Sequence, residues 1–187
     1  LERTERGDLA QALSLLDPHL IVHLTAANSE EIALLASSQR TAVLNPRANT
    51  TLGLNVPPIL PLIDSGANLL LGTDNVMLNP PNLFAELDFT HRLARAQAGE
   101  DRPTSPAPAD VLRLVTSNIA PVLGGDHYGH LEQGLPASFV ALDFSASHLS
   151  ASRNIPASIV GRIGTADVLT TVSRGRELWR RPDFRSP

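Results

Sequence analysis

Short apolar runs alternate with segments of helical periodicity along the first hundred residues. Leucine and alanine recur at helical spacing over residues 8–16, and the apolar run at 19–24 is typical of a strand covered on both faces. The same alternation predicts further helices at 28–38, 57–65 and 82–96 and further strands at 41–44 and 68–71, with a Pro/Asn-rich loop at 45–55. Strands separated by helices indicate parallel pairing with helical crossovers, so we expect an α/β fold.

The pattern changes after a Pro/Ala/Ser-rich linker at 99–108. Residues 109–124 predict one more helix that ends at two glycines. Further along, short runs separated by turn residues predict a small β assembly, with strands at 138–143, 158–163, 168–172 and 178–180. We therefore expect two units, an α/β unit over residues 1–124 and a β unit over residues 125–187.

Composition limits the function classes that need to be considered. The net charge is −4 and no basic cluster occurs, so nucleic acid is not an expected partner. The chain has no cysteine and all 15 of its basic residues are arginine, which excludes thiolate and lysine chemistry from it. No apolar run approaches the roughly 20 residues that cross a bilayer, and residues 1–6 lack the apolar core of a signal peptide. We expect a cytoplasmic protein without a membrane partner.

Candidate chemistry lies where the predicted strands end. In parallel α/β folds the functional side chains sit at the carboxyl ends of strands, and His23, Asn45 and Asp74 occupy such positions. A histidine and a carboxylate at the mouth of a barrel suit a divalent metal with a bound water. Two structural interpretations remain open: Asp74 could cap the next helix or shape a turn, and His23 could be a satisfied core residue.

Two further histidines, His127 and His130, flank a glycine turn. Their spacing could suggest a metal site, although a turn at a domain junction is the other interpretation. His91 lies on the predicted helix at 82–96, at the surface or in a groove. No Gly-x-Ser-x-Gly motif occurs, so a serine hydrolase has no support.

Several segments, taken in order, resemble the amidohydrolase superfamily, specifically its deaminase and chlorohydrolase-like branch. Residues 22–25 with 28–32 resemble the sixth barrel strand and its helix, and 45–49 with 52–53 resemble the loop after strand seven. Residues 66–75 resemble strand eight, which ends in the metal-binding aspartate of that family. Residues 116–120 with 123–124 resemble the helix that leads out of the barrel. The remaining matches, to the composite β-sandwich, are 129–134, 139–143, 166–168 and 174–176.

The resemblance implies the C-terminal part of a (β/α)8 TIM-type barrel, about strands six to eight, followed by part of a β-sandwich. It also implies a metal-dependent hydrolase of carbon–nitrogen bonds other than peptide bonds, acting as an aminohydrolase on a small nitrogen heterocycle. The His-x-His pair of the first strand and the His-x-x-Glu of the fifth strand do not occur at matching places in this chain and are expected upstream of it.

The resemblance assigns roles residue by residue. Asp74 would bind the metal and carry the proton of the attacking water. His23 would orient the substrate and would itself be a ligand in two-metal relatives. The expected metal is zinc, with iron or manganese as alternatives. The expected substrate-binding residues are Asn45, Asn49, Asn75 and Asn79.

An incomplete barrel has physical consequences. We expect exposed strand edges, which an N-terminal half or a second copy of the chain would cover, and we expect no turnover by these 187 residues alone. One alternative is a catalytically inactive, truncated or split fragment that serves as an interaction module. Another is a doubly wound nucleotide-binding domain, but no Gly-x-Gly-x-x-Gly motif supports it.

Overall fold

A computed structural model of the chain describes residues 8–102, 105–125 and 128–184. The helices are α1 (Asp8–Leu16), α2 (Ser29–Ser38), α3 (Pro46–Thr51), α4 (Ile59–Asp64), α5 (Leu83–Ala98), α6 (Pro108–Arg113) and α7 (Ile155–Gly161). The strands are β1 (Leu20–Val22), β2 (Thr41–Leu44), β3 (Asn68–Leu71), β4 (Phe139–Leu142), β5 (Val168–Ser173) and β6 (Arg176–Arg180). Short 3₁₀ turns occupy Ser117–Ile119 and Thr165–Asp167. Within the described part of the chain, no helix is long and apolar enough to span a membrane.

The first sheet has the order β1-β2-β3, and both of its strand pairs are parallel. Each connection between these strands contains a helix, as the alternation of apolar runs predicts. Val43 pairs with Val22 on one side and with Leu70 on the other. The carboxyl ends of all three strands therefore meet at the same edge of the sheet.

One hydrophobic core lies between this sheet and its helices. Leu44 of β2, Leu69 of β3, Leu35 of α2 and Leu62 of α4 are almost completely excluded from solvent. Burying each such side chain contributes about 1.5–3 kcal/mol. The core therefore fixes β2 and β3, the strands from which two of the site loops begin.

The start of α2 is set by a reciprocal cap. The Asn28 side chain accepts a hydrogen bond from the backbone nitrogen of Glu31, and the Glu31 carboxylate accepts one from the backbone nitrogen of Asn28. These two hydrogen bonds form a capping box. Glu31 also accepts a hydrogen bond from the backbone nitrogen of Leu9, so the same carboxylate joins α1 to α2.

The second sheet is antiparallel, with the order β4-β5-β6. Its strands are more exposed than β2 and β3, and all five residues of β6 are exposed. Between β4 and β5 the chain returns to the first core, because α7 packs against α5 and α6 and its Val160 belongs to that core.

Four expectations from the sequence differ from the structure. Strand β1 is largely exposed rather than covered on both faces, because it is an edge strand. The loop predicted at 45–55 contains α3, and the helix predicted at 109–124 reduces to α6 and a 3₁₀ turn. The strand predicted at 158–163 is largely helix α7, which begins at the N-cap Asn154 with a proline in its first turn.

The buried face of α5 agrees only in part with the helical periodicity of 82–96, which places Leu83, Leu87 and Leu93 on the apolar side. Leu87 is buried as predicted, but Leu83 is exposed. The buried face also contains Glu86, Thr90 and Ala94, so a carboxylate lies within it.

Candidate metal and catalytic site

His23 is the residue directly after β1. Its backbone nitrogen donates to the Val43 carbonyl oxygen at 2.9 Å, which extends the pairing with β2 by one bond. His23 and the following Leu24 both adopt positive φ, at 76° and 55°. Non-glycine residues seldom adopt this conformation, and it occurs where surrounding structure enforces a special side-chain direction. The turn directs the imidazole towards the end of β3.

Asp74 lies three residues after β3 and also has a positive φ, at 56°. Its Oδ1 atom accepts a hydrogen bond from the backbone nitrogen of Asn75 at 2.8 Å. Its Oδ2 atom lies 3.7 Å from Nε2 of His23. The two carboxylate oxygens therefore face different neighbours, and Oδ2 is the one directed at the imidazole.

The interpretation of Asp74 as a helix cap is wrong. Helix α5 begins at Leu83, and the side chain of Asn82 accepts hydrogen bonds from the backbone nitrogens of Phe84 and Ala85. The Asp74 carboxylate is therefore not needed for the helix. The His23 and Asp74 side chains retain 39% and 28% of their exposure, so a ligand can reach both groups.

Two of the four predicted asparagines are buried beneath this pair. Asn49 lies in α3, and its amide nitrogen is 3.2 Å from Nδ1 of His23. The Asn45 amide finds hydrogen-bond partners when its nitrogen faces the carbonyl oxygens of Gly72 and Leu44, at 2.8 and 3.2 Å. Asn45 thus ties the end of β2 to the end of β3, and Asn49 contacts the histidine itself.

The other two asparagines lie on the loop after β3. Asn75 is exposed, and its side-chain oxygen accepts a hydrogen bond from the backbone nitrogen of Met77. The Asn79 amide lies 3.3 Å from both the Ala48 backbone nitrogen and the Thr51 hydroxyl. Asn79 therefore connects this loop to α3.

Sequence reasoning missed an ion pair next to these loops. Nη1 of Arg47 is 3.2 Å from Oε1 of Glu86, whose side chain is completely buried, while Arg47 is 18% exposed. Burial raises the pKa of Glu86, and the neighbouring Arg47 guanidinium opposes part of that rise. The pair holds α3, which carries Asn49, against α5. The one signal in the sequence was a glutamate beside Leu87, within a helix face that is otherwise small or apolar.

The other candidate metal site is not built by the described residues. His127 lies outside them, and Nε2 of His130 is 3.3 Å from a carboxylate oxygen of Glu132. Across residues 8–102, 105–125 and 128–184, no three or more His, Cys, Asp or Glu side chains are grouped closely enough to hold a metal ion. His91 lies on α5, where burial lowers its pKa.

His23 and Asp74 fit a divalent metal as a partial ligand set. The two side chains lie close enough to approach one bound ion, with 3.7 Å between Nε2 of His23 and Oδ2 of Asp74. Imidazole nitrogen and carboxylate oxygen are donors that zinc, iron and manganese all accept. Two donors are fewer than the three protein ligands of a usual catalytic zinc site, so this pair alone would hold a metal weakly.

These features define a parallel α/β protein with its candidate site at the carboxyl ends of the strands. The chain belongs to the amidohydrolase family, whose sequence profile matches residues 2–178. This confirms the family that the sequence resembles. The structure is similar to that of a zinc-bound adenosine deaminase from Xanthomonas campestris, with a TM-score of 0.79 and 25% identity, over 90% of this chain and 42% of that one.

Curated relatives point to the same family. A 5-methylthioadenosine/S-adenosylhomocysteine deaminase from Syntrophobacter fumaroxidans is 32% identical over 89% of this chain and 38% of its own. A deaminase of the same name from Moorella thermoacetica is 30% identical over 95% of this chain and 42% of its own. The chain thus spans about two fifths of the length of these relatives, and its fold corresponds to part of an amidohydrolase barrel.

Proposed function

We propose that this chain is part of a metal-dependent aminohydrolase that removes an amino group from a nitrogen heterocycle. The observation that carries the proposal is the approach of His23 and Asp74, from the ends of β1 and β3, to 3.7 Å. Membership of the amidohydrolase family and two relatives named as deaminases of adenosine derivatives support it. We take β1, β2 and β3 as strands six to eight of the barrel and residues 125–187 as part of the β-sandwich.

Asp74 is proposed as the metal ligand and proton carrier. A bound divalent metal, zinc in the first place, would supply Lewis-acid activation of the attacking water. Oδ1 of Asp74 is held by the Asn75 backbone, which leaves Oδ2 to accept the proton of the water and to return it to the leaving amine. His23, across from Oδ2, would orient the heterocycle and stabilise the negative charge that develops on it.

The proposed substrate contacts follow from exposure. Asn75 is accessible on the loop after β3 and can reach a ring, whereas Asn45 and Asn49 are buried and would shape the site from below. Asn79 would fix the loop through its contacts with α3. An adenine-like ring is the first candidate, because relatives of this chain are named for adenosine derivatives.

The experiment that tests the function uses the longest natural form of the protein. Ammonia release from adenosine, 5-methylthioadenosine, S-adenosylhomocysteine and guanine is measured with zinc, iron or manganese added. Asp74→Asn should lower kcat at least a thousandfold, whereas Asp101→Asn, the same change at an exposed carboxylate, should leave it unchanged. Equal turnover by both variants would remove Asp74 from the mechanism.

A second experiment tests whether these 187 residues bind metal and turn over substrate by themselves. We expect substoichiometric zinc and no turnover by the chain alone, because His23 and Asp74 supply two donors and no three such side chains are grouped among the described residues. Stoichiometric metal with turnover would contradict this expectation.

The alternative function, an inactive fragment that serves as an interaction module, is favoured by one observation. No strand of the described residues pairs with the outer edge of β1, and its Leu20 and Val22 are exposed. Open strand edges are sites at which other chains add. The ammonia-release assay separates the two functions, since a module would show no activity in any length of the protein.

A further inference from the structure

Both ring nitrogens of His23 have a polar neighbour. Nδ1 lies 3.2 Å from the Asn49 amide nitrogen, and Nε2 lies 3.7 Å from Oδ2 of Asp74. A neutral imidazole carries its proton on one of the two nitrogens, and the neighbours decide on which one. An amide N–H directed at Nδ1 needs a lone pair there, and a carboxylate oxygen facing Nε2 favours a proton there. The two contacts therefore select the same tautomer, with the proton on Nε2.

The position of Asn49 is fixed by its backbone and by its burial. Its backbone nitrogen donates to the Asn45 carbonyl oxygen at 3.0 Å, and its carbonyl oxygen accepts from the Leu54 backbone nitrogen at 2.9 Å. Its exposure is 1%, so the side chain has no access to solvent. The amide group is thus held against the imidazole by a rigid segment.

The side-chain oxygen of Asn49 has no hydrogen-bond partner among the described residues. Buried polar atoms are nearly always paired, so this oxygen is one of a few exceptions among the described residues. If the amide oxygen and nitrogen exchanged places, an NH₂ group would lie where the oxygen has no partner. Two buried N–H bonds would then be unpaired instead of one oxygen. The exchange would also move the imidazole proton to Nδ1 and direct the lone pair of Nε2 at the Asp74 carboxylate, which is repulsive.

We propose that Asn49 is a positioning residue that holds His23 as the Nε2–H tautomer, so that His23 presents a hydrogen-bond donor to the site. In this tautomer Nε2 has no lone pair, so Asp74 alone of the partial ligand set would bind a metal while His23 keeps this proton. Its N–H can instead donate to the substrate atom on which negative charge develops. This catalytic consequence rests on the proposed function, whereas the tautomer itself does not.

The tautomer is measured on the metal-free chain with ¹⁵N-labelled histidine. Two-bond ¹H–¹⁵N correlations at about pH 9, well above the usual histidine pKa of about 6.5, separate the protonated nitrogen of each neutral ring from the unprotonated one. The signals that disappear in His23→Gln identify His23. We expect its Nε2 to be protonated. A protonated Nδ1 in the wild-type spectrum overturns the proposal without any variant.

The Asn49→Asp variant tests whether the Asn49 amide determines the tautomer of His23. The substitution keeps the shape of the side chain but replaces the N–H donor with an acceptor, so the tautomer should shift towards Nδ1–H. Asn55→Asp adds the same charge at an exposed position nearby and should leave the tautomer unchanged. A residue that merely packs against the ring would not invert the tautomer, so an unaltered Asn49→Asp spectrum also overturns the proposal.

Kinetics of the longest natural form separate this inference from the proposed function. Asn49→Asp should lower kcat at least tenfold with KM and metal content close to wild type, and Asn55→Asp should not change kcat. Unchanged kcat in Asn49→Asp would contradict the positioning role. Absence of turnover in the wild-type protein would instead contradict the proposed function and would leave the tautomer, read by the spectra, standing.

Discussion

The two edges of the parallel sheet differ in how they are covered. On the β3 side, the backbone nitrogen of Leu71 donates to the Leu114 carbonyl oxygen at 3.1 Å, and the Asn118 side chain donates to the Leu69 carbonyl oxygen at 3.0 Å. On the β1 side, no strand of the described chain pairs with the outer edge, and Leu20 and Val22 are 43% and 49% exposed. One edge is closed by the chain itself, and the other, called the open edge below, has no partner strand among the described residues.

We expect the closed edge to affect the stability of the fold and the open edge to affect association with other chains. Asp74 follows the closed strand, whereas His23 follows the open one and is held from below by Asn49. Changes on the closed side should therefore alter the free energy of unfolding. Changes on the open edge should alter association and leave folding nearly unaffected.

The largest expected effect is the loss of the charge that balances Glu86. Arg47→Met leaves a completely buried carboxylate without its partner, and breaking a buried pair in this way costs roughly 3–5 kcal/mol. The measurement is urea unfolding of the wild type and the variant, followed by far-UV circular dichroism. Arg92→Met is the control, because its pair with Asp88 is exposed and should be worth less than about 1 kcal/mol. Equal losses in the two variants would show that burial of the Glu86 pair does not matter.

A second effect tests the closure of the β3 edge. Asn118→Ala leaves the Leu69 carbonyl oxygen without this donor, which should cost about 1–2 kcal/mol in the free energy of unfolding. Ser117→Ala, at the exposed neighbouring position, should change it by less than about 0.5 kcal/mol. A thermal or urea midpoint for Asn118→Ala equal to that of Ser117→Ala would mean that the edge is not closed by this hydrogen bond.

A smaller effect appears in the pH dependence of stability. Burial raises the pKa of Glu86, so in the range from about 4.5 up to that raised pKa the folded chain binds more protons than the unfolded chain. Raising the pH through this range should therefore lower the stability of the wild type relative to Glu86→Gln, which does not titrate there. The measurement is the difference in unfolding free energy between the two proteins across the range. A difference that grows in favour of the wild type would mean that attraction by Arg47 outweighs burial.

The smallest effect on stability is expected at the open edge. Val22→Lys should change the free energy of unfolding by less than about 0.5 kcal/mol, because the side chain is half exposed. The same change should weaken self-association of the chain, since a lysine on an edge strand opposes the addition of another strand. Sedimentation velocity over a concentration series measures this. Unchanged association would place the contact between copies elsewhere.

Parts of the fold were predictable because local signals and burial agree. Strands β2 and β3 have the predicted bounds, since each is an apolar run with polar residues or glycine beyond its end. Helix α3 was missed because its six residues, PRANTT, have no apolar periodicity and depend on tertiary contacts. The branched residues of 158–163 predict a strand where helix α7 lies, although Asn154 and Pro156 are typical of a helix start.

The candidate site, like the fold, could be predicted from the sequence only in part. Topology alone indicates that residues following β1 and β3 lie at one edge of the sheet, so His23 and Asp74 could be paired from the sequence. The contact between Asn49 and His23 and the pair of Arg47 with Glu86 could not be predicted. Both depend on side-chain directions within α3, which the sequence pattern does not indicate.

Gly72 limits how the sequence around the site can vary. A Cβ atom there would lie 2.5 Å from the Asn45 amide group and 3.0 Å from Cγ1 of Val43, whereas one at Gly66 would have no atom within 4 Å. Gly66 is constrained by its positive φ, and Gly72 is constrained by space. In a saturation library selected for folding, asparagine should therefore be the first tolerated replacement at 66. Position 72 should accept even alanine only together with a smaller residue at 45, so the two positions should vary as a pair.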